Sequence, residues 1–317
     1  MQESKDSFGS AADILCDELQ AIVRAVPENK RATVQEIRLR MNRPLTLTDG
    51  STTLFPDTDG RIMYSPGENS AIVTQRQIYD TFRRLCGYSV YSVENDIRNG
   101  FITVRGGHRV GLCGTAVCSG GKITAVSDIS SMNIRVSRQI KGAAKELLSA
   151  LYPLKGGVLI VGPPASGKTT LLRDLARCLS SGAGCRIMRT VVIDERGEIA
   201  GTCHGVPAND LGLCDILNGY PKGEGIMQAV RALSPQVIIC DEIGGADDLQ
   251  SASCGFNAGA VIISSVHASS YEELSRRSFA PYLKECGAFR TAVILDSSDH
   301  PCRIKQIIDI EKEPETE

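Results

Sequence analysis

A chain that runs from a short, wholly apolar segment straight into a glycine-bounded turn and then a helical pattern has few folds open to it. Residues 156–172 read GGVLIVGPPASGKTTLL. Val158, Leu159, Ile160 and Val161 have the length and branching of a buried strand. Gly162, Pro163, Pro164, Ala165, Ser166, Gly167, Lys168 and Thr169 follow and satisfy G-x-x-x-x-G-K-[ST] at every position. Leu171, Leu172, Leu175, Ala176 and Leu179 then recur at helical spacing. Strand, loop and helix come in the order that a phosphate-binding loop requires.

The residue types explain the chemistry. A loop that wraps a phosphate must turn successive backbone N–H groups inward, and Gly162 and Gly167 permit that close approach. The helix opening near Lys168 adds free N–H groups and a partial positive charge. Lys168 is expected at the β- and γ-phosphates of ATP, Thr169 on Mg²⁺, and Thr170 on a phosphate oxygen.

Length and charge narrow the rest. At 317 residues the chain can build two cores, and a net charge of −2 gives no global field for duplex nucleic acid. No apolar run reaches the roughly 18–20 residues that span a bilayer. The opening MQESKDSFGS lacks the plan of a signal peptide, which predicts a cytoplasmic protein without direct membrane insertion. Twelve cysteines occur with no C-x-x-C spacing. They read as reduced thiols, with Cys178, Cys240 and Cys254 as small buried hydrophobes.

The organisation expected is α/β: a RecA-like P-loop domain over 139–311, preceded by a smaller α+β domain over 1–138 and followed by a charged tail, 312–317. One amphipathic helix is predicted over 11–26 and short strands over Glu36–Met41 and Leu45–Thr48, with loop from 49 to 70. A helix capped by Thr74 runs to Cys86, and a shorter one covers Val90–Arg98. Strand-like runs at 101–104, 109–118, 122–126 and 132–137 suggest a small antiparallel sheet. In the second half a helical connector over Lys141–Leu151 precedes strands at 158–161, 190–194, 237–241, 260–265, 292–296 and 303–310, the last pair antiparallel.

A phosphate loop needs partners on neighbouring strand ends. In SPQVIICDEIG, Asp241 and Glu242 leave a buried strand: Asp241 is expected to hold Mg²⁺ and Glu242 to polarise the attacking water. In VVIDERGEI, Asp194 and Glu195 end another strand, and Glu195 is the candidate for orienting water, while Arg196 and Glu198 read equally well as a surface ion pair. In IISSVHASS, His267 follows a third strand and is a candidate for sensing the γ-phosphate.

Together GPPASGKT, VVIDERGE, SPQVIICDEIG and SSVHASS resemble, in that order, the P-loop, acidic box, Walker B element and histidine box of the secretion-ATPase superfamily of RecA-like motors. EIRLRMNRPL, GGHRVGLCGTAV and LNGYPKGEGIMQAV narrow the resemblance to the AA family of stage III sporulation proteins. Typical superfamily members carry Gly-Glu where this chain has Asp241-Glu242, which restores a carboxylate pair for the metal. The resemblance implies an ATPase that assembles as a homohexamer and docks on membrane-embedded sporulation channel proteins, on the mother-cell side of the forespore membrane. It also implies that arginines of the first domain complete a neighbour's site. Arg105, Arg109, Arg135 and Arg138 are placed for this, with Arg109 and Arg135 on strands. Two other functions stay open: a nucleic-acid-stimulated ATPase, against which the lack of a basic, aromatic-interleaved stripe argues, and a nucleotide-gated assembly protein.

Overall fold

A computed structural model describes residues 6–87, 97, 100–203 and 205–312. The chain divides into two compact units, residues 1–138 with 201–208, and residues 139–200 with 209–317. The segment 201–208, expected in the second domain, groups with the first. The short helix expected over Val90–Arg98 lies outside the described residues, Ile97 apart, as does most of the charged tail.

In the first unit the strands are β1 (Glu36–Arg40), β2 (Arg43–Pro44), β3 (Thr46–Asp49), β4 (Thr52–Pro56), β5 (Ile62–Met63), β6 (Ile72–Val73), β7 (Phe101–Val104), β8 (His108–Ser119) and β9 (Lys122–Arg135). Seven form one sheet in the order β5-β4-β3-β1-β9-β8-β7, with antiparallel pairing throughout, and β2 pairs with β6. Alternation decides the faces. Ile37 and Leu39 are fully buried with Val110, Met132 and Ile134, whereas Glu36, Arg38 and Arg40 lie on the opposite face. Each fully buried aliphatic side chain contributes roughly 1.5–3 kcal/mol.

Three expectations change here. The helix predicted over 11–26 is two, Ser7–Ala12 and Asp17–Ala25. Between them the Cys16 N–H donates to Thr81 Oγ1 at 3.1 Å, a buried tertiary partner that replaces the helical bond. The stretch 49–70 contains β4 and β5, because Leu54 and Pro56 find a buried face that its polar composition does not advertise. The runs at 122–126 and 132–137 are one strand, β9, which carries Asp128 at φ +47° between them.

The second unit is a three-layer sandwich. Its strands are β10 (Gly157–Gly162), β11 (Thr190–Asp194), β12 (Asp215–Asn218), β13 (Val237–Glu242), β14 (Val261–His267), β15 (Phe289–Leu295) and β16 (Ile304–Asp309), in the order β12-β11-β13-β14-β10-β15-β16. All pairings are parallel except β15 with β16. Val158 and Ile160 pack with the helix Lys168–Ser181, while Leu159 and Val161 pack with the layer containing Ile226, Leu249 and Leu283. β12 is a four-residue edge strand without a periodic pattern, which is why sequence alone passes over it. Cys178 and Cys240 are buried as expected, but Cys254 is exposed, on the outer side of a helix that buries Leu249, Ala252 and Gly255. Among the described residues, no helix is long and apolar enough to cross a membrane.

His108, at the start of β8, is fully buried. The Ser137 N–H donates to its Nδ1 at 3.0 Å, so Nε2 carries the proton and faces Ser10 Oγ at 2.8 Å. Burial, helped by Arg138, lowers its pKa to about 4. A depressed histidine contributes stability that is complete above its unfolded value, near 6.5, and is lost as pH falls toward about 4. Replacing His108 by Gln should lower stability by about 1–3 kcal/mol near neutral pH. The gap between parent and variant should narrow when urea unfolding is repeated at about pH 5.

Candidate functional site

The site sits at the C-terminal ends of β10, β14 and β13, where a parallel sheet opens a crevice for ligands. Gly162, the last residue of β10, is the register partner of His267, the last residue of β14. That pairing brings the start of the phosphate loop beside the histidine. A cavity of about 350 Å³ follows, lined on one side by Pro164, Ala165, Gly167, Lys168, Thr169 and Thr170. Glu198, Asp241, Glu242, Ser265, His267 and Pro301 line the other.

The loop has the conformation of a phosphate cradle. Ala165 and Gly167 take positive φ, +61° and +91°, a sequence of turns that aims N–H groups inward. At Gly167 a Cβ would meet Cys302 Sγ at 2.5 Å, so glycine is required by space as well as by φ. Ser166 is fully buried and its Oγ has no partner. The helix Lys168–Ser181 then leaves its first N–H groups without intrahelical acceptors.

Lys168 is a buried cation. Its Nζ donates to the Gly162 and Pro163 carbonyls at 2.8 Å each and to His267 Nδ1 at 3.0 Å. Burial lowers its pKa, and Glu242 and Asp241 act in the opposite sense. Because an ammonium only donates, Nδ1 must accept, and the His267 proton resides on Nε2, 3.2 Å from Glu242 Oε2. Lys168, His267 and Glu242 thus form one line of polar contacts across the cavity, a hydrogen bond followed by an ion-pair-range approach.

Asp241 and Glu242 are neighbours on one strand and would ordinarily face opposite ways. A register shift in β13 between Ile239 and Glu242 removes that alternation, and both carboxylates line the cavity. The Asp241 carbonyl accepts instead from the buried Ser264 hydroxyl. Burial, then Glu198 and Asp194, push the Asp241 carboxyl up to about 6, while Lys222 pulls it down. A cation bound there would offset the repulsion, and Thr169 shares the same cavity, so the donor set fits Mg²⁺.

The acidic strand end of β11 is used differently from the expectation. Asp194 is fully buried and accepts the N–H groups of Glu198, Ile199 and Ala200 at 2.7–3.1 Å. This wraps the following loop so that Glu198 lines the cavity, while Glu195 is exposed and does not. Glu198, rather than Glu195, is therefore the carboxylate of that segment that lines the cavity. The signal for it was the four-residue spacing from an aspartate that ends a wholly buried strand. Ser265 and Pro301, which also line the cavity, and Lys222 and Ser264, which hold the main chain behind it, carry no motif in the sequence.

Arg109 and Arg135 are register partners on β8 and β9 in the first unit, and neither lines the phosphate cavity. The Arg109 guanidinium stacks 4.4 Å from the Phe101 ring centre. Arg135 Nε lies 3.4 Å from Glu36 Oε1 and keeps 68% of its side chain exposed. Arg138 is turned to another use, donating to the Arg31 carbonyl at 2.9 Å.

The raised Asp241 carboxyl yields a test. Such a group contributes stability that is fully present below the unfolded value, near 3.8, and is lost as pH rises through about 6. Asp241→Asn should therefore stabilise the protein in EDTA above about pH 7, by on the order of 1–3 kcal/mol. Thermal unfolding scans should show the gain shrinking toward about pH 4.

Comparison with known proteins follows the same lines. The family described as Sporulation stage III, protein AA matches residues 9–313. Stage III sporulation protein AA of Bacillus subtilis (strain 168) is 36% identical over 301 residues, 94% of each chain. The ATPase DotB of Legionella pneumophila has a TM-score of 0.56 at 15% identity, over 87% of this chain and 74% of that one. The pilus retraction motor PilT with bound ADP has a TM-score of 0.52 at 14% identity, over 82% and 74%. These likenesses show the fold: a RecA-like P-loop domain preceded by a smaller α+β domain. The chain belongs to the stage III sporulation protein AA family.

Proposed function

We propose that this protein is an ATP-hydrolysing motor of a sporulation channel complex, acting as a homohexameric ring on the cytoplasmic, mother-cell side of the forespore membrane. The observation that carries the reading is the convergence of Lys168, Thr169, Asp241, Glu242 and His267 on one cavity at the strand ends.

The cradle N–H groups and Lys168 bind the β- and γ-phosphates of ATP, Lys168 exchanging its two carbonyl acceptors for phosphate oxygens. Thr169 and Asp241 hold Mg²⁺, which when bound neutralises charge on the phosphate oxygens. Glu242 orients a water for in-line attack on the γ-phosphate and takes up its proton. His267 reports the γ-phosphate to Glu242, since its ring contacts both Lys168 and that carboxylate. Arg109 and Arg135 complete the site of a neighbouring subunit, and the 68% exposure of the Arg135 side chain supports this. The ring docks on membrane-embedded channel proteins and reaches the membrane through them.

Purified protein should turn over ATP in a Mg²⁺-dependent manner. Lys168→Ala should abolish nucleotide binding, and Glu242→Gln should preserve binding while lowering turnover about 10²–10⁴-fold. Parental turnover in Glu242→Gln would remove the water-positioning role. Strong stimulation of the parent by DNA or RNA would favour a nucleic-acid-driven ATPase. Mixing Lys168→Ala with Arg135→Ala or Arg109→Ala subunits should recover turnover at mixed interfaces. No recovery with either, in verified mixed rings, would exclude both arginines from action in trans.

A further inference from the structure

Lys222 breaks two local rules at once. It opens the helix Lys222–Leu233, where a cation opposes the helix dipole, and its side chain is 7% exposed. Sequence and structure disagree locally in this way mostly where function demands it. What holds the ammonium there lies next to the catalytic machinery. Nζ donates to the backbone carbonyl of Glu242 and bonds Asp248 Oδ2 at 3.0 Å. The same Asp248 oxygen accepts the Gly244 N–H at 2.7 Å. The turn that leaves β13 after Glu242 is thus held from two sides by one ion pair, whose ammonium is buried and whose carboxylate is half-buried.

The clamp answers a specific problem. Beyond Glu242 and the buried Ile243 come Gly244 and Gly245, and neither glycine has a side chain to pin the backbone. On the preceding residue, Ser264 already holds the Asp241 carbonyl. Without Lys222 the Glu242–Ile243 peptide would keep the bond from the Ile243 N–H to the Ser265 carbonyl and lose the partner of its own carbonyl.

We infer that Lys222 is a positioning residue for ATP hydrolysis: through the Glu242 carbonyl and Asp248 it fixes the direction in which the Glu242 carboxylate meets the attacking water. This rests on the reading of Glu242 given above. Lys222 does not itself line the cavity and meets its lining only at the main-chain carbonyl of Glu242, away from the nucleotide-binding loop, so its loss acts on turnover more than on nucleotide binding.

The test uses the full-length protein and two variants. Lys222→Met alone leaves the half-buried Asp248 carboxylate without its cation, which can impair folding. Lys222→Met with Asp248→Asn balances the charge and keeps an acceptor for the Gly244 N–H. In this double variant kcat should fall about 10–100-fold. KM for ATP, affinity for a fluorescent ATP analogue and unfolding temperature should stay close to the parent, and amide exchange at Ile243–Gly245 should quicken. A double variant with parental kcat would overturn the inference and leave the ATPase reading intact, as would a kcat loss matched by an equal loss of nucleotide affinity. A parent that binds but does not hydrolyse ATP would overturn both, and that outcome is read from the parent alone.

Discussion

The register between β10 and β14 is the constraint on which the site depends. Because Gly162 pairs with His267, the strand that launches the phosphate loop and the strand that ends in the histidine terminate at the same height. Lys168, six residues beyond Gly162, then folds back to bond both the loop carbonyls and the imidazole. A slip of one residue would turn every side chain of β14 to the other face and remove the histidine from the chain of contacts. Strands buried on both faces resist such a slip, since Val158 to Val161 and Ile262 to Val266 all find core partners.

On this rigid frame the acidic side of the cavity is an irregularity under control. The bulge in β13 gives up a ladder bond so that two consecutive carboxylates share one face. Ser264 takes the orphaned Asp241 carbonyl, and Lys222 takes that of Glu242. The arrangement keeps Asp241 in surroundings that disfavour its charge, with Glu198 and Asp194 close by. A cation at this place would relieve that repulsion.

The first unit shows a different economy. Its sheet buries one face under helices, and the opposite face carries Arg38, Arg135 and Arg109 in adjacent strands, the first two joined by Glu36 and the third stacked on Phe101. Burial alone would raise the Glu36 carboxyl, yet Arg38, Asn133 and Arg135 hold it below its usual range. His108, neutral and sealed in, joins the start of β8 to Ser10 and Ser137 from the opposite side.

Much of this was legible in the chain. The phosphate loop, its strand and its helix follow from local pattern, because their geometry is dictated by neighbours a few residues away. The parallel order of the second half and the alternation of Ile37 and Leu39 with charged residues follow from periodicity. What sequence could not supply were features made by partners distant along the chain. The break at Cys16 needs Thr81, sixty-five residues on. The exchange of Glu195 for Glu198 needs Asp194 to be sealed in and to gather three backbone N–H groups. The facing of Asp241 with Glu242 needs a bulge that Ser264 stabilises from the next strand. Local pattern determined the glycine-bounded loop with its strand and helix; only the tertiary packing of buried polar groups, each obliged to find a partner, decided which carboxylates line the cavity beside it.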